Sequence, residues 1–365
     1  MIAQAARAVL AATLALFAAL PAAAQERQVN VYNWNDYVDP AVLEAFTRET
    51  GIKVVYDLYD NNEIVEAKLL AGNSGYDIVV PSGSFLYRMG QAKLFHPIDR
   101  SKLKNAGNIW ADVDKRLAAY DPGNKFGVNY MWGTVGIGVN LKKVKERLGD
   151  MPLNTWDIAF KPEIVAKLKD CGVHMLDAPE DIMPAVMNWL GLPGGSTKLA
   201  DWTKAADHLM KIRTSVQKFH SSEYINALAN GDICMVVGYS GDILQARKRA
   251  VEARNGVEIS YIIPREGAQM WFDSMAIPAD AKNKEEALAF IDYMLRADVA
   301  AKNTNFVSYA TGNGPAKASV KPEIANDPGV YPDEATFRRL FTNTPLDERT
   351  QKAVTRLWTR VKTGK

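Results

Sequence analysis

The sequence predicts an α/β fold built as two lobes. Three observations carry this expectation. Strand-like and helix-like segments alternate along the chain, they do so in two separate series, and an apolar, glycine-rich run at 130–140 leads from one series into the other.

In the first series, residues 28–32 read as a short β-branched strand. Asp39-Pro40 then supplies an N-cap followed by proline at the first helical position, Leu43 and Phe46 share a face, and Gly51 closes the helix. Residues 52–59 form a second strand. Residues 63–71 carry helical spacing through Ile64, Lys68 and Leu69 and stop at Gly72. Residues 76–80 read as a buried strand running into Pro81-Ser82-Gly83-Ser84. This order, βαβαβ, is that of a mostly parallel sheet wrapped by helices. The run 130–140 is a strand leaving the first lobe, its glycines allowing a bend.

The second series has a strand at 173–176, helices near 182–190, 200–212 and 223–229, and a strand at 233–239 leading into a helix at 242–253. Strands at 257–263 and 270–277 flank a turn at Pro264-Arg265-Glu266-Gly267. A long amphipathic helix covers 284–302, and the tail from Glu334 is helical and basic. On this segmentation the first lobe comprises 25–133 with about 251–298, and the second 134–250 with about 299–365. Strands that cross between lobes more than once suggest a clamshell closing on a ligand by hinge motion.

Residues 1–24 have the pattern of an export signal: Arg7, an apolar stretch from Ala8 to Leu20, and Ala22-Ala23-Ala24 before Gln25. No cysteine follows that site to take a lipid anchor, and no later apolar run is long enough for a membrane helix. The whole chain of 365 residues has formal charge +2, and removal of the signal leaves +1. That balance argues against nucleic acid or an anionic membrane as the main partner. The four histidines are scattered without ligand spacing, so no metal is expected. Cys171 and Cys234 are the only cysteines; export favours one disulfide, and two buried thiols are the alternative.

Acids flanked by aromatics recur where strands should end. They are Trp34-Asn35-Asp36-Tyr37, Asp181 before a helix, Tyr239-Ser240-Gly241-Asp242, and Trp271-Phe272-Asp273, with Tyr309 as a further aromatic. An amine chain needs such a lining, with a carboxylate or hydroxyl acceptor for each ammonium and flat apolar walls for the methylenes. Each point also has a plainer reading: Asp36, Asp181 and Asp242 as helix caps, Trp34, Tyr37 and one of Trp271 and Phe272 as core. Recurrence favours the ligand. Enzyme motifs are weak. Gly238-Tyr239-Ser240-Gly241 fails G-x-S-x-G, no histidine is placed to serve Ser240, and neither GxGxxG nor a P-loop occurs. Paired acids beside aromatics leave a glycoside hydrolase as the enzyme alternative.

The chain resembles the periplasmic polyamine-binding proteins of spermidine/putrescine ABC transporters over essentially its whole mature length. The resemblance rests on Tyr32-Asn33-Trp34 with Asp36-Tyr37, Tyr76-Asp77-Ile78-Val79-Val80-Pro81-Ser82, Tyr130-Met131-Trp132 with Thr134 and Gly136-Ile137, and Leu176-Asp177-Ala178-Pro179-Glu180. Gly231-Asp232-Ile233-Cys234, Gly241-Asp242, Phe272-Asp273 and the tail Arg356-Leu357-Trp358 also fit. It implies a type II binding-protein clamshell, each lobe a mixed, mostly parallel sheet flanked by helices, with no catalysis and no cofactor. It implies a monomer in the periplasm serving an inner-membrane ABC permease, and a Cys171–Cys234 disulfide.

It implies, too, that Trp34, Asp36, Tyr37, Ser82, Trp271 and Asp273 line the first lobe, and Asp181, Ser221, Tyr239, Asp242 and Tyr309 the second. Asp242 and Asp273 would hold one end of the polyamine, Asp36 with Asn35 and Ser82 nearby another amine, and Asp181 the far amine. The aromatics would sandwich the methylenes. Putrescine-selective relatives carry glutamate, tryptophan and phenylalanine where this chain has Asp181, Tyr239 and Trp271. Spermidine binders share tryptophan at the last position and keep glutamate and tryptophan at the other two. The shorter acid, the smaller ring and the larger indole together lead to an expectation of spermidine over putrescine, with a putrescine-preferring or general polyamine binder as the alternative.

Overall fold

Eleven strands organise residues 27–365, the part of the chain that the computed structural model describes; the expected export signal lies outside the described residues. In chain order they are β1 (Gln28–Trp34), β2 (Lys53–Tyr59), β3 (Ile78–Val79), β4 (Phe95–His96), β5 (Gly127–Asn140), β6 (Val173–Met175), β7 (Lys218–Phe219), β8 (Met235–Tyr239), β9 (Ile259–Ile262), β10 (Met270–Pro278) and β11 (Ala310–Thr311). β1 lies between β2 and β3, parallel to both; β10 joins β3 to β5 in antiparallel fashion. On the other side, β6 pairs parallel with β7 and β8, and β8 runs antiparallel to β5.

The organising element is β5. Its residues from Gly127 to Thr134 pair with β10, and those from Val135 to Asn140 pair with β8 and β9. One fourteen-residue strand, buried at every position, therefore belongs to both sheets. The chain passes between the two halves again from β9 to β10. It does so a third time after β11, ending in a helix, Glu348–Thr363, packed on the second half's helix Leu199–Ile212. Three passages make a two-lobed body with a cleft where the strands end.

The first helix, Pro40–Thr50, follows its sequence closely. Asp39 Oδ1 accepts from the Ala41 amide at 3.0 Å, and Gly51 closes the helix in the left-handed region, its N–H donating to Thr47 O at 2.9 Å. Elsewhere the structure departs from the reading. Helix Asn62–Ala71 starts on an Asn61 cap and buries Val65 and Leu69, leaving Ile64 exposed, so its apolar face lies one residue on. The expected 284–302 helix is two, Lys284–Met294 and Ala297–Val307. Between them Arg296 is extended and its guanidinium binds Asp298 and Glu49.

β9 and β10 do not form a hairpin: each pairs with a different stretch of β5. Residues 259–262, expected with the first lobe, therefore pair in the second sheet, and β11, expected with the second, pairs with Met131 and Trp132 in the first. The glycines of β5 serve close packing more than bending. A Cβ on Gly136 would lie 2.5 Å from the Tyr261 hydroxyl, and one on Gly138 2.8 Å from Ile243.

Cys171 and Cys234 are disulfide-bonded, tying the start of β6 to the start of β8 across 63 residues. Two of the distant motifs meet: Trp358 Nε1 and Lys362 Nζ both reach the Asp177 carboxylate at 2.7 Å, fastening the last helix under the loop that leads to Asp181.

Candidate functional site

The strand ends and helix starts of both halves converge on a cleft of about 790 Å³, part of it open to solvent. β1 delivers Trp34, Asn35 and Tyr37; the turn after β3 delivers Ser82; β10 delivers Trp271 and Asp273. From the other side come Asp181 in the first turn of helix Pro179–Trp189, Ser221 in the loop after β7, Tyr239 at the end of β8, and Asp242 in the first turn of helix Ser240–Ala253. Tyr309 enters just before β11. Eleven of the twelve candidates thus line one cleft.

Asp36, expected as an amine ligand, is the exception: it is not among the residues that line the cleft. Its backbone is left-handed (φ 55°), and its carboxylate is engaged at the rim, accepting from Asn35 Nδ2 at 3.0 Å and pairing with Arg249 at 3.2 Å. This pair joins the two halves at the rim. A second tie is Glu180, which takes Arg88 at 2.7 Å and Ser84 Oγ at 2.6 Å from the first half and Gln351 from the last helix. These ties bridge the two halves beside the cleft.

Neither Asp181 nor Asp242 is a helix cap. Ala178 and Tyr239 occupy those positions. Asp242 is held between two phenols, Tyr224 and Tyr309, each donating at 2.6 Å. Asp181 accepts from the Tyr239 hydroxyl and from Gln269 Nε2, both at 2.8 Å. Asp273 accepts from Ser82 Oγ at 2.7 Å and has the Tyr37 hydroxyl beside it.

Burial dominates the electrostatics. It raises the carboxyls of Asp181 and Asp273 to about 7 and that of Asp242 to about 6, against the lowering effect of the hydroxyl donors. Three acids with no basic side chain bonded to them form a site for positive charge. Among the described residues no acidic, histidine or cysteine cluster is tight enough to hold a metal ion. The acids are spread out, which suits an extended organic cation.

Aromatic rings connect the acids. Tyr239 and Trp271 lie 5.8 Å apart, Trp271 and Tyr309 5.2 Å, and Tyr309 and Tyr37 5.2 Å, all edge to face. Asp181 is bonded to the Tyr239 end of this row and Asp242 to Tyr309. Trp34 is fixed by its Nε1 donating to Val80 O at 2.9 Å and by tilted contact with Tyr59 at 4.8 Å. Phe272, alternating with its neighbours, is fully buried. Two glycines make room for the rings: a Cβ on Gly133 would meet Trp271 at 2.5 Å, and one on Gly241 would meet Tyr309 at 2.5 Å.

Reasoning from sequence missed Gln269, Asn343 and Tyr224. Gln269 was accessible through its alternation with Trp271 and Asp273 on one strand face. Tyr224 lies in an ordinary apolar helix and Asn343 in an irregular tail, and neither gave a local signal.

A two-sheet body joined by a shared strand, closed over a cleft lined by acids and rings, defines a ligand-capturing binding protein. Its fold is the type II periplasmic binding protein fold, as in the spermidine/putrescine ABC transporter substrate-binding protein PotD of Streptococcus pneumoniae. That structure is 30% identical, with a TM-score of 0.75, 93% of this chain and 99% of that one being covered. The chain belongs to the bacterial extracellular solute-binding protein family, whose pattern matches residues 41–332.

Among its relatives are the putrescine-binding periplasmic protein SpuD of Pseudomonas aeruginosa, 49% identical over 98% of each chain, and the putrescine-binding periplasmic protein PotF of Escherichia coli, 49% identical over 94% of this chain and 93% of that one. The family binds solutes and does not catalyse, in line with the non-enzymatic reading of the sequence.

Proposed function

We propose that this protein captures a linear polyamine in the periplasm, putrescine foremost, and delivers it as a monomer to an ABC transporter. The observation that carries the reading is the row of rings from Tyr37 to Tyr239, with Asp242 and Asp273 toward one end and Asp181 at the other. Each ammonium meets an anionic acceptor, and the methylenes lie against aromatic faces. The expected spermidine preference gives way to putrescine because SpuD and PotF, both 49% identical, carry putrescine in their names.

Spermidine is the second reading. One feature supports it: the cleft wall continues past Asp181 to Asn343, whose Oδ1 is buried without a partner. Titration calorimetry on ligand-stripped protein tests both. Tighter binding of putrescine than spermidine is expected, with arginine and neutral monosaccharides inert. Tighter spermidine binding reverses the ranking, and no binding of either amine overturns the reading.

A further inference from the structure

We propose that Gln269 is a ligand-contacting residue and that the face of β10 it shares with Trp271 and Asp273 gauges the length of a four-carbon diamine. The inference rests on the polyamine reading and adds a residue and a length rule to it.

The orientation of the Gln269 amide is dictated by its partner. Its nitrogen donates to Asp181 Oδ1 at 2.8 Å, and an oxygen placed there would face a carboxylate. The oxygen therefore occupies the other position, and it has no hydrogen-bond partner although the side chain is only 4% exposed and lines the cleft. A buried amide oxygen left without a donor is costly. A primary ammonium has three N–H groups, and at this end of the cleft Asp181 and Gln269 Oε1 stand side by side to accept them.

Pairing with β5 is regular from Met270 to Asp273 and continues through Val135 N–H donating to Gln269 O at 3.0 Å. Positions 269, 271 and 273 therefore point the same way, amide, indole and carboxylate in turn. Along the strand, four residues span about 13 Å. A four-methylene diamine is about 6 Å between nitrogens when extended, taking bonds of about 1.5 Å. A charge-assisted hydrogen bond of about 2.8 Å at each end brings the span to about 12 Å. The Trp271 ring, midway, lies under the methylenes. A triamine with three- and four-carbon arms is too long to sit between these two groups end to end.

The test is calorimetric titration of the ligand-stripped full chain with 1,3-diaminopropane, putrescine, cadaverine and butylamine. Wild-type protein should bind putrescine best among the diamines. Gln269→Met, which keeps length and removes both polar atoms, should weaken putrescine by about ten- to a hundred-fold, weaken butylamine at least threefold less and flatten the length profile. Gln269→Glu, which keeps an acceptor but loses the donor to Asp181, should bind putrescine at least tenfold more tightly than the Met variant.

Equal losses for putrescine and butylamine, or equal losses in both variants, would mean that Gln269 acts only through packing or through Asp181, and would overturn the proposal. An unchanged Met variant would do the same. Failure of wild-type protein to bind any diamine would instead reject the polyamine reading itself.

Discussion

Replacing Asp242 by asparagine should move affinity and stability in opposite directions. Asp242 is 9% exposed, receives two short phenol hydrogen bonds, and has a pKa raised by burial, about 6 instead of 3.8. At neutral pH the ionised carboxylate therefore costs the empty closed protein about 3 kcal/mol relative to an exposed acid. Asparagine removes that charge, but its amide nitrogen meets a phenol that must rotate, which returns about 1 kcal/mol. The ligand-free variant should be about 1–2 kcal/mol more stable, a rise of a few degrees in Tm by calorimetry. Diamine binding loses a buried charge pair and should weaken by about 2–5 kcal/mol, thirty-fold or more in Kd. A variant that binds putrescine within threefold of wild type, or that is less stable when empty, would refute the assignment of Asp242 as an amine acceptor held at an electrostatic cost.

Three further outcomes are expected. Because a bound cation lowers the pKa values that burial has raised, binding should release protons between about pH 5 and 7 and weaken as pH falls. Titrations in buffers of different ionisation enthalpy will show this, and for the empty protein the same shifts predict stability that declines as pH rises from about 4 to about 7. Replacing both Cys171 and Cys234 with serine should cost about 4 kcal/mol in denaturant unfolding, by the entropy of a 63-residue loop, while putrescine affinity stays within about twofold. Gly133→Ala should push the Trp271 ring into the cleft and reduce affinity by about tenfold at near-normal folding, measured as tryptophan fluorescence against amine concentration.

Much of the lobe architecture was legible because its signals are local. Asp39-Pro40 and Gly51 bound a helix by cap chemistry alone, and the motifs around Asp77 and Asp177 mark loops pinned by distant donors. What failed was long-range. Nothing near Ile259 says that it pairs with Asn140 rather than with β10, and nothing near Arg296 says that its guanidinium meets a carboxylate at Glu49 where the helix breaks. The site shows the same division. Residue type gave Trp34, Asp242 and Trp271, because acid next to ring is visible in sequence. It misplaced Asp36, whose direction depends on a left-handed backbone and on Arg249, 213 positions away by number.

The shut cleft has a consequence for fidelity. With three buried acids and no basic side chain bonded to them, an empty cleft that closes at neutral pH traps repelling charge, whereas an occupied one is neutralised by its cargo. Closure thus reports occupancy. Each acid that stays ionised sets the vacant closed form at a disadvantage to the occupied one, and about 1.4 kcal/mol shifts that balance tenfold. Shutting around cargo is then easier than shutting around nothing, and a downstream reader of shape is spared false alarms.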